Sequence, residues 1–95
     1  MRSLDFEWDD RKAGANLRKH GVSFEEAASG FADAHGALIG DPDHLEDEDR
    51  FILLGLSSAL RLLVVVNCYR ESDDRIRILS ARRASRAERL QYRSR

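Results

Sequence analysis

The chain carries a single cysteine, Cys68, so no internal disulfide can staple it. That cysteine closes the apolar run Leu62-Leu63-Val64-Val65-Val66-Asn67-Cys68, which reads as the setting of a buried, inert thiol. A lone cysteine also fits a reducing compartment. No apolar run is long enough to span a bilayer, and residues 1–5 offer no apolar core of a signal peptide. A cytoplasmic chain without membrane contact is therefore expected. No Pro-, Gly- or Ser-rich linker divides the sequence, and no segment repeats. The three histidines, His20, His35 and His44, lack HxxxH spacing, and one cysteine cannot complete a zinc site. The acidic run from Asp41 to Asp49 lacks the central glycine of a calcium loop. No metal and no cofactor are expected. A Gly-rich phosphate loop and a GxSxG elbow are absent as well, and nothing marks a Ser/His/Asp triad.

What is present is charge. The 95 residues suffice for one domain, expected over 1–95, with one modest core. The overall charge is −1, yet residues 1–50 carry a net −7 and residues 51–95 a net +6. Such a split offers a basic surface to a polyanion. It equally allows the two halves to pair with each other.

Periodicity places the elements. Leu4-Asp5-Phe6-Glu7-Trp8 alternates as a short half-buried strand. Asp9 can cap a helix running to His20, with Ala13 and Leu17 as its apolar stripe, Asn16 and His20 beside it, and Gly21 as its stop. Ser23-Phe24-Glu25-Glu26 has the form of a capping box opening a second helix to about Phe31. Ala37-Leu38-Ile39 and Phe51 to Leu56 read as strands, separated by a turn at Asp41-Pro42-Asp43 and an acidic loop to Arg50. A hairpin turn follows at Ser57-Ser58-Ala59. The nearly unbroken apolar run from Leu60 to Tyr69 predicts a central strand covered on both faces. Arg75-Ile76-Arg77-Ile78-Leu79 alternates again. A helix is expected from about Arg82, where Arg82, Arg86, Arg89 and Arg93 would form one stripe. The fold class is α+β: an N-terminal strand and two helices, an antiparallel sheet of about four strands, and a C-terminal helix.

The chemistry on offer is that of arginine, ten of which lie between residues 61 and 95. Its planar fork binds phosphate and stays charged at any working pH. Tyr69 and Tyr92 can stack on bases. For most of the ten, solvation or an ion pair is the plain reading; Arg77, on an apolar strand near the last helix, favours function. His20 suits acid–base work, because histidine titrates near neutrality, although capping the C-terminal end of its own helix is an equal alternative. His44, in the acidic loop, reads as an exposed loop residue.

Three blocks of sequence resemble a known family in order. They are Phe6-Glu7-Trp8-Asp9 through Lys12-Ala13 to Asn16-Leu17-Arg18-Lys19-His20-Gly21-Val22-Ser23-Phe24-Glu25-Glu26-Ala27; then Arg50-Phe51, Gly55 and Leu62-Leu63-Val64-Val65; then Arg75-Ile76-Arg77-Ile78-Leu79-Ser80-Ala81-Arg82-Arg83-Ala84 with Glu88 and Tyr92. Together they resemble the BrnT toxins. The resemblance implies a RelE-like fold and a ribonuclease that slows translation. It also implies a BrnA-type ribbon-helix-helix antitoxin as partner, a hetero-oligomer of the two, and repression of their own operon, with operator DNA met only through the antitoxin. The family's motif histidine falls on His20 and its motif arginines on Arg77 and Arg82.

The expected activity is metal-independent RNA endonuclease chemistry, in which a 2′-hydroxyl attacks the adjacent phosphate. His20, Arg61, Arg77 and Arg82 are the candidate catalytic residues. Lys12, Lys19, Arg70, Arg86, Arg89 and Tyr92 are the candidates for holding RNA, and Lys12 or Lys19 can stand in for His20. The residues alone leave two other classes open: an RNA-binding or corepressor module without chemistry, and an interaction protein assembling through its acidic and basic halves.

Overall fold

The computed structural model describes residues 5–44, 46–47, 49–70 and 74–94, apart from the side chain of Arg70. Leu4, part of the expected first strand, and Leu45 and Glu48 of the acidic loop lie outside the described residues. The order is β1 (Asp5–Glu7), α1 (Asp10–His20), α2 (Phe24–Ser29), a 3-10 turn over Gly30–Ala32, β2 (Ala37–Gly40), a 3-10 turn over Pro42–His44, β3 (Arg50–Leu56), β4 (Leu62–Arg70), β5 (Arg75–Arg83) and α3 (Arg86–Arg93). The strands form one sheet in the order β1-β5-β4-β3-β2. Strands β2 to β5 run antiparallel, as expected, and β1 joins as a fifth, parallel to β5. No helix among the described residues is long and apolar enough to cross a membrane.

The α1 boundaries follow from local chemistry. Asp9 accepts the Arg11 and Lys12 amides at 2.9 and 3.1 Å, and Gly21 ends the helix with φ 68°. A left-handed stop of this kind costs glycine nothing. Ser23 accepts the Glu26 amide at 3.0 Å, so half of the expected capping box forms. The other half does not. The Glu26 carboxylate turns away to Arg61 and Ser57, because a charge-assisted pair outcompetes a neutral amide.

One face of the sheet holds the core. Leu53, Leu63, Val65, Ile78 and Ala81 pack under Val22, Phe24 and Ala27, with Phe6, Trp8, Ala13, Ala28 and Phe31 at the margin. At β3 the backbone comes so close to the turn after α2 that a Cβ on Gly55 would meet the Gly30 carbonyl at 2.7 Å. The continuous apolar run of β4 led to an expectation of cover on both faces. Helices α1 and α2 serve only one. On the other, Val64 lies at the floor of a groove, and Leu60 is not in the strand but in the hairpin turn, at φ 62° and 79% exposed.

The last helix also starts later than the arginine spacing suggested. Residues Arg82 and Arg83 belong to β5, and Ser85 caps α3 with a complete capping box to Glu88. Arg82 is thus not part of a helical stripe with Arg86, Arg89 and Arg93. The backbone stays extended because Leu63 and Val64 of β4 pair with Arg83 and Arg82. Between β4 and β5, Val66 pairs with Ser80 and Asn67 with Ile78, which leaves Leu79 without a partner in β4. That extra residue inverts the alternation, so Ile76, Ile78 and Ala81 all point into the core. Arg77, Ser80 and Arg82 consequently share the opposite face.

β1 pairs with β5 only as far as Arg77, so the edge of β5 beyond it would be bare. Asn16 completes it. Its Nδ2 donates to the Ala81 carbonyl at 2.8 Å, its Oδ1 accepts the Ala81 amide at 3.0 Å, and Nδ2 also donates to Val22 O at 2.9 Å. The inward face of α1 is therefore Ala13 and buried Asn16, whereas Leu17, expected in the apolar stripe, is 51% exposed. Asn16→Ala should lower stability in urea by roughly 2–4 kcal/mol, because each orphaned buried backbone group costs about 1–3 kcal/mol. Leu17→Ala should change it by no more than about 0.5 kcal/mol. Similar losses for the two variants would show that Asn16 does not hold the edge.

Candidate functional site

With Asn16 fixing α1 to β5, the last residue of that helix, His20, reaches past the sheet edge to the face opposite the core. There it lines a cleft of about 260 Å³ with Asp41, Asp43, His44, Arg50, Ile52, Val64, Val66, Ser80, Ala81 and Arg82. Ile52, Val64 and Arg82 also line a larger, mostly apolar groove of about 420 Å³, bounded by Ala37, Ile39, Pro42, Leu54, Glu88 and Gln91. Cleft and groove thus adjoin each other over residues of β3, β4 and β5.

Two of the four expected catalytic residues meet in the cleft: His20 and Arg82. The Arg82 fork grips Glu88, Nη1 to Oε1 at 2.8 Å and Nη2 to Oε2 at 2.9 Å. Glu88 also accepts the Ser85 amide at 2.7 Å. The Arg82 hydrogen bonds outweigh burial and, with Ser85, lower the Glu88 carboxyl to about 2. Glu88 in turn raises Arg82 above the ordinary guanidinium value.

Arg61 and Arg77 lie outside the cleft. Arg61 clasps Glu26 with two donors and gives a hydrogen bond to the Gly21 carbonyl at 3.0 Å. Ser57 Oγ adds a third donor to Glu26 at 2.7 Å. The Arg61 hydrogen bond, helped by Ser57 and opposed by burial, holds the Glu26 carboxyl below its usual range. Arg77 pairs with Glu7 at 2.9 Å, and both side chains are more than 40% exposed, at 44% and 41%. A pair so open to water contributes little.

Of the candidate RNA-holding residues, Lys12 and Lys19 are exposed on α1, and Arg86 and Arg89 on α3. Arg89 donates to the Ala84 carbonyl at 3.2 Å. The Tyr92 hydroxyl donates to Asp33, which also accepts the Leu56 amide at 2.8 Å, so the ring is tied to the body. Arg70 ends β4, and its side chain lies outside the described residues. Cys68 is half-buried.

Several cleft residues escaped the sequence reading. Asp41 is 4% exposed and accepts from Arg50 Nε at 3.0 Å and from the Asp43 amide at 3.0 Å, with His44 Nδ1 3.2 Å away. Burial works against its charge, but these three neighbours prevail and its carboxyl sits below the ordinary value. Ser85-x-x-Glu88 is a capping-box signature readable in the sequence, and it would have moved the start of α3. No comparable signal brings Arg50, His44 and Ser80 together, since they come from separate elements. Among the described residues, no group of three or more His, Cys, Asp or Glu side chains is placed to hold a metal ion.

Comparison with known proteins agrees with this layout. The family model described as the ribonuclease toxin BrnT of type II toxin–antitoxin systems matches residues 8–88. Among solved structures, the ribonuclease toxin BrnT of Brucella abortus superposes with a TM-score of 0.67 at 21% identity, covering 88% of this chain and 100% of that one. At that identity the likeness is one of fold. No curated protein matches the sequence.

The Arg82–Glu88 pair has a pH signature. Glu88 falls from an ordinary 4.5 to about 2 on folding, so its contribution is complete above pH 4.5 and is lost as pH falls through 2. Glu88→Gln should be less stable than the parent at neutral pH, and its unfolding free energy should decline less steeply between pH 4.5 and 2. Parallel acid limbs in urea titrations of the two proteins would mean that the pair does not couple to folding.

Proposed function

Since the chain belongs to the family of BrnT ribonuclease toxins of type II toxin–antitoxin systems, we propose that residues 1–95 act as one toxin domain that cuts RNA in the cleft lined by His20 and Arg82. The observation that carries this reading is the convergence in one cleft of a histidine, two arginines (Arg50 and Arg82) and a serine, Ser80, from three different elements. A 2′-hydroxyl attacks the neighbouring phosphorus, and the phosphate passes through a crowded dianionic state. His20 transfers a proton, and Arg82 stabilises the developing charge. Three of the five Arg82 donors are engaged by Glu88 and the Arg83 carbonyl, which leaves donors for a phosphate. Neither proton transfer nor charge stabilisation calls for a divalent ion in this scheme.

The other candidates take supporting parts. Arg61 is a positioning residue, because it fixes the carbonyl of Gly21, the residue that follows His20. Arg77 shares the face of Ser80 and Arg82, and its exposed pair with Glu7 is weak enough to exchange for a flanking phosphate. Arg86 and Arg89 of α3, Lys12 and Lys19 of α1, Arg70 at the end of β4 and Tyr92 extend the RNA track. The neutralising partner is an antitoxin of the BrnA type, whose amphipathic segment fills the adjoining groove. Because the groove shares Ile52, Val64 and Arg82 with the cleft, filling it closes the path for RNA. The toxin–antitoxin complex, in the cytoplasm, represses its own operon through the antitoxin's DNA-binding part.

The test is a labelled RNA incubated with the purified chain in EDTA. Cleavage should persist, the product should end in a 2′,3′-cyclic phosphate, and DNA of the same sequence should stay intact, since it lacks the nucleophile. Arg82→Ala should slow cleavage by about 10²–10³, and His20→Ala by roughly 10²–10⁴, with folding checked by circular dichroism. A requirement for magnesium, or cutting of DNA, would falsify this chemistry. Binding of RNA without cleavage by the folded parent protein would assign a binding module instead.

A further inference from the structure

Proton transfer in this cleft needs a base as well as an acid, and His20 is one group. A second imidazole lines the same space. His44 stands at the end of the 3-10 turn Pro42–His44, with its amide bonded to the Asp41 carbonyl at 3.1 Å and its ring held over the Asp41 side chain. Nδ1 lies 3.2 Å from Asp41 Oδ2, is shielded from water, and makes no straight hydrogen bond with any described residue. The side chain as a whole is 39% exposed. Exchange with a ligand therefore falls to the far nitrogen, Nε2.

Asp41 is suited to orient that ring. It is buried, Arg50 locks its Oδ2, and the Asp43 amide occupies its Oδ1 at 3.0 Å. A fixed carboxylate beside Nδ1 keeps the neutral-ring proton on that nitrogen and leaves the lone pair on Nε2. This is the tautomer a base requires. Contacts of this kind are often misaligned in a free enzyme and tighten when substrate binds.

Building on the ribonuclease reading above, we propose that His44, oriented by Asp41, is the base of the reaction and His20 its acid. Nε2 of neutral His44 takes the 2′-hydroxyl proton as the 2′-oxygen bonds to phosphorus. The bond from phosphorus to the 5′-oxygen breaks, and that oxygen takes a proton from the imidazolium of His20. The products are a 2′,3′-cyclic phosphate and a 5′-hydroxyl. His44 ends protonated and His20 neutral, and exchange with water restores both. The charged and titratable groups facing His44 across the cleft are His20, Asp41, Asp43, Arg50 and Arg82.

The experiment measures cleavage of two RNAs, one ordinary and one with sulfur in place of the 5′-bridging oxygen at the cut. A thiolate leaves without an acid, so the second RNA should rescue His20→Ala and should not rescue His44→Ala or His44→Gln. Both His44 variants should cut the ordinary RNA roughly 10²–10⁴ times more slowly than the parent, and bind a 2′-deoxy-substituted analogue as tightly. The rising limb of the pH–rate profile should disappear in both. Asp41→Asn should slow the ordinary RNA in kcat and bind the 2′-deoxy-substituted analogue as tightly as the parent; a merely structural role for Asp41 would weaken that binding as well. His44→Gln keeps a polar contact to Asp41 and guards against misfolding in the alanine variant. Parental rates in folded His44→Gln, with His20→Ala and Arg82→Ala impaired, would overturn the assignment of His44 and leave the cleft reading intact. Parental rates in all three would overturn the cleft reading itself. Rescue of His44→Gln by the sulfur substrate would reverse the two roles and so overturn this assignment.

Discussion

A side-chain amide pairs in both directions with a strand edge, and much else depends on that pairing. β1 covers β5 only to Arg77, yet β5 continues to Arg83. Beyond β1 the amide and carbonyl of Ala81 need partners, and Asn16 presents one donor and one acceptor at the required spacing. An apolar residue at position 16 would bury those groups unpaired. The same contact fixes where the C-terminal end of α1 lies against the sheet. Four residues on from Asn16, one turn along the same helix face, is His20, so the residue that completes the sheet edge also sets the position of the imidazole.

The second organising device is the unpaired Leu79. Strict alternation from Ile76 and Ile78 would continue inward with Ser80 and Arg82, which would put a guanidinium in the core and turn Ala81 outward. One extra residue exchanges the two sets. Ala81 enters the core against α2, and Arg82 emerges beside Ser80 on the face that Arg77 already occupies. The cleft is therefore a product of register as much as of composition. Ser80 and Arg82 face the cleft only because a strand changes phase in the middle.

These two facts explain what the sequence disclosed and what it withheld. Caps and stops were legible, since Asp9, Gly21 and Ser23 act on residues within four positions. The four antiparallel strands were legible for the same reason, as their alternation and turns are local. The charge split was legible as a number but not as a destination. Arg61 goes to Glu26 and Arg77 to Glu7, so part of the imbalance between the halves is met inside the molecule. Choosing between a ligand and an internal partner required long-range geometry. The helix assigned to Arg82 failed because arginine spacing suits a helix, whereas pairing with Val64 keeps the strand extended. The place of His44 in the cleft was not legible because an acidic loop predicts solvent, and only the fold shows Asp41 buried beside its ring.

The distribution of cover over the sheet connects these points to activity. One face is closed by Phe24, Ala27 and Val22, and its residues fix the register of β3, β4 and β5. Among the described residues, no helix is laid across the other face. It is edged instead by α3, which buries none of its residues and is tied down chiefly through polar contacts, Glu88 to Arg82 and Tyr92 to Asp33. A helix held in this way costs less to shift than one seated in a core, because its ties can be exchanged for water or for a partner's groups. The rigid face sets the backbone from which Ser80 and Arg82 emerge, and the lightly held face borders the cleft and the groove that they line. The Arg82 guanidinium belongs to both: its backbone is locked in the sheet, its fork holds Glu88 of α3, and its side chain lines cleft and groove alike.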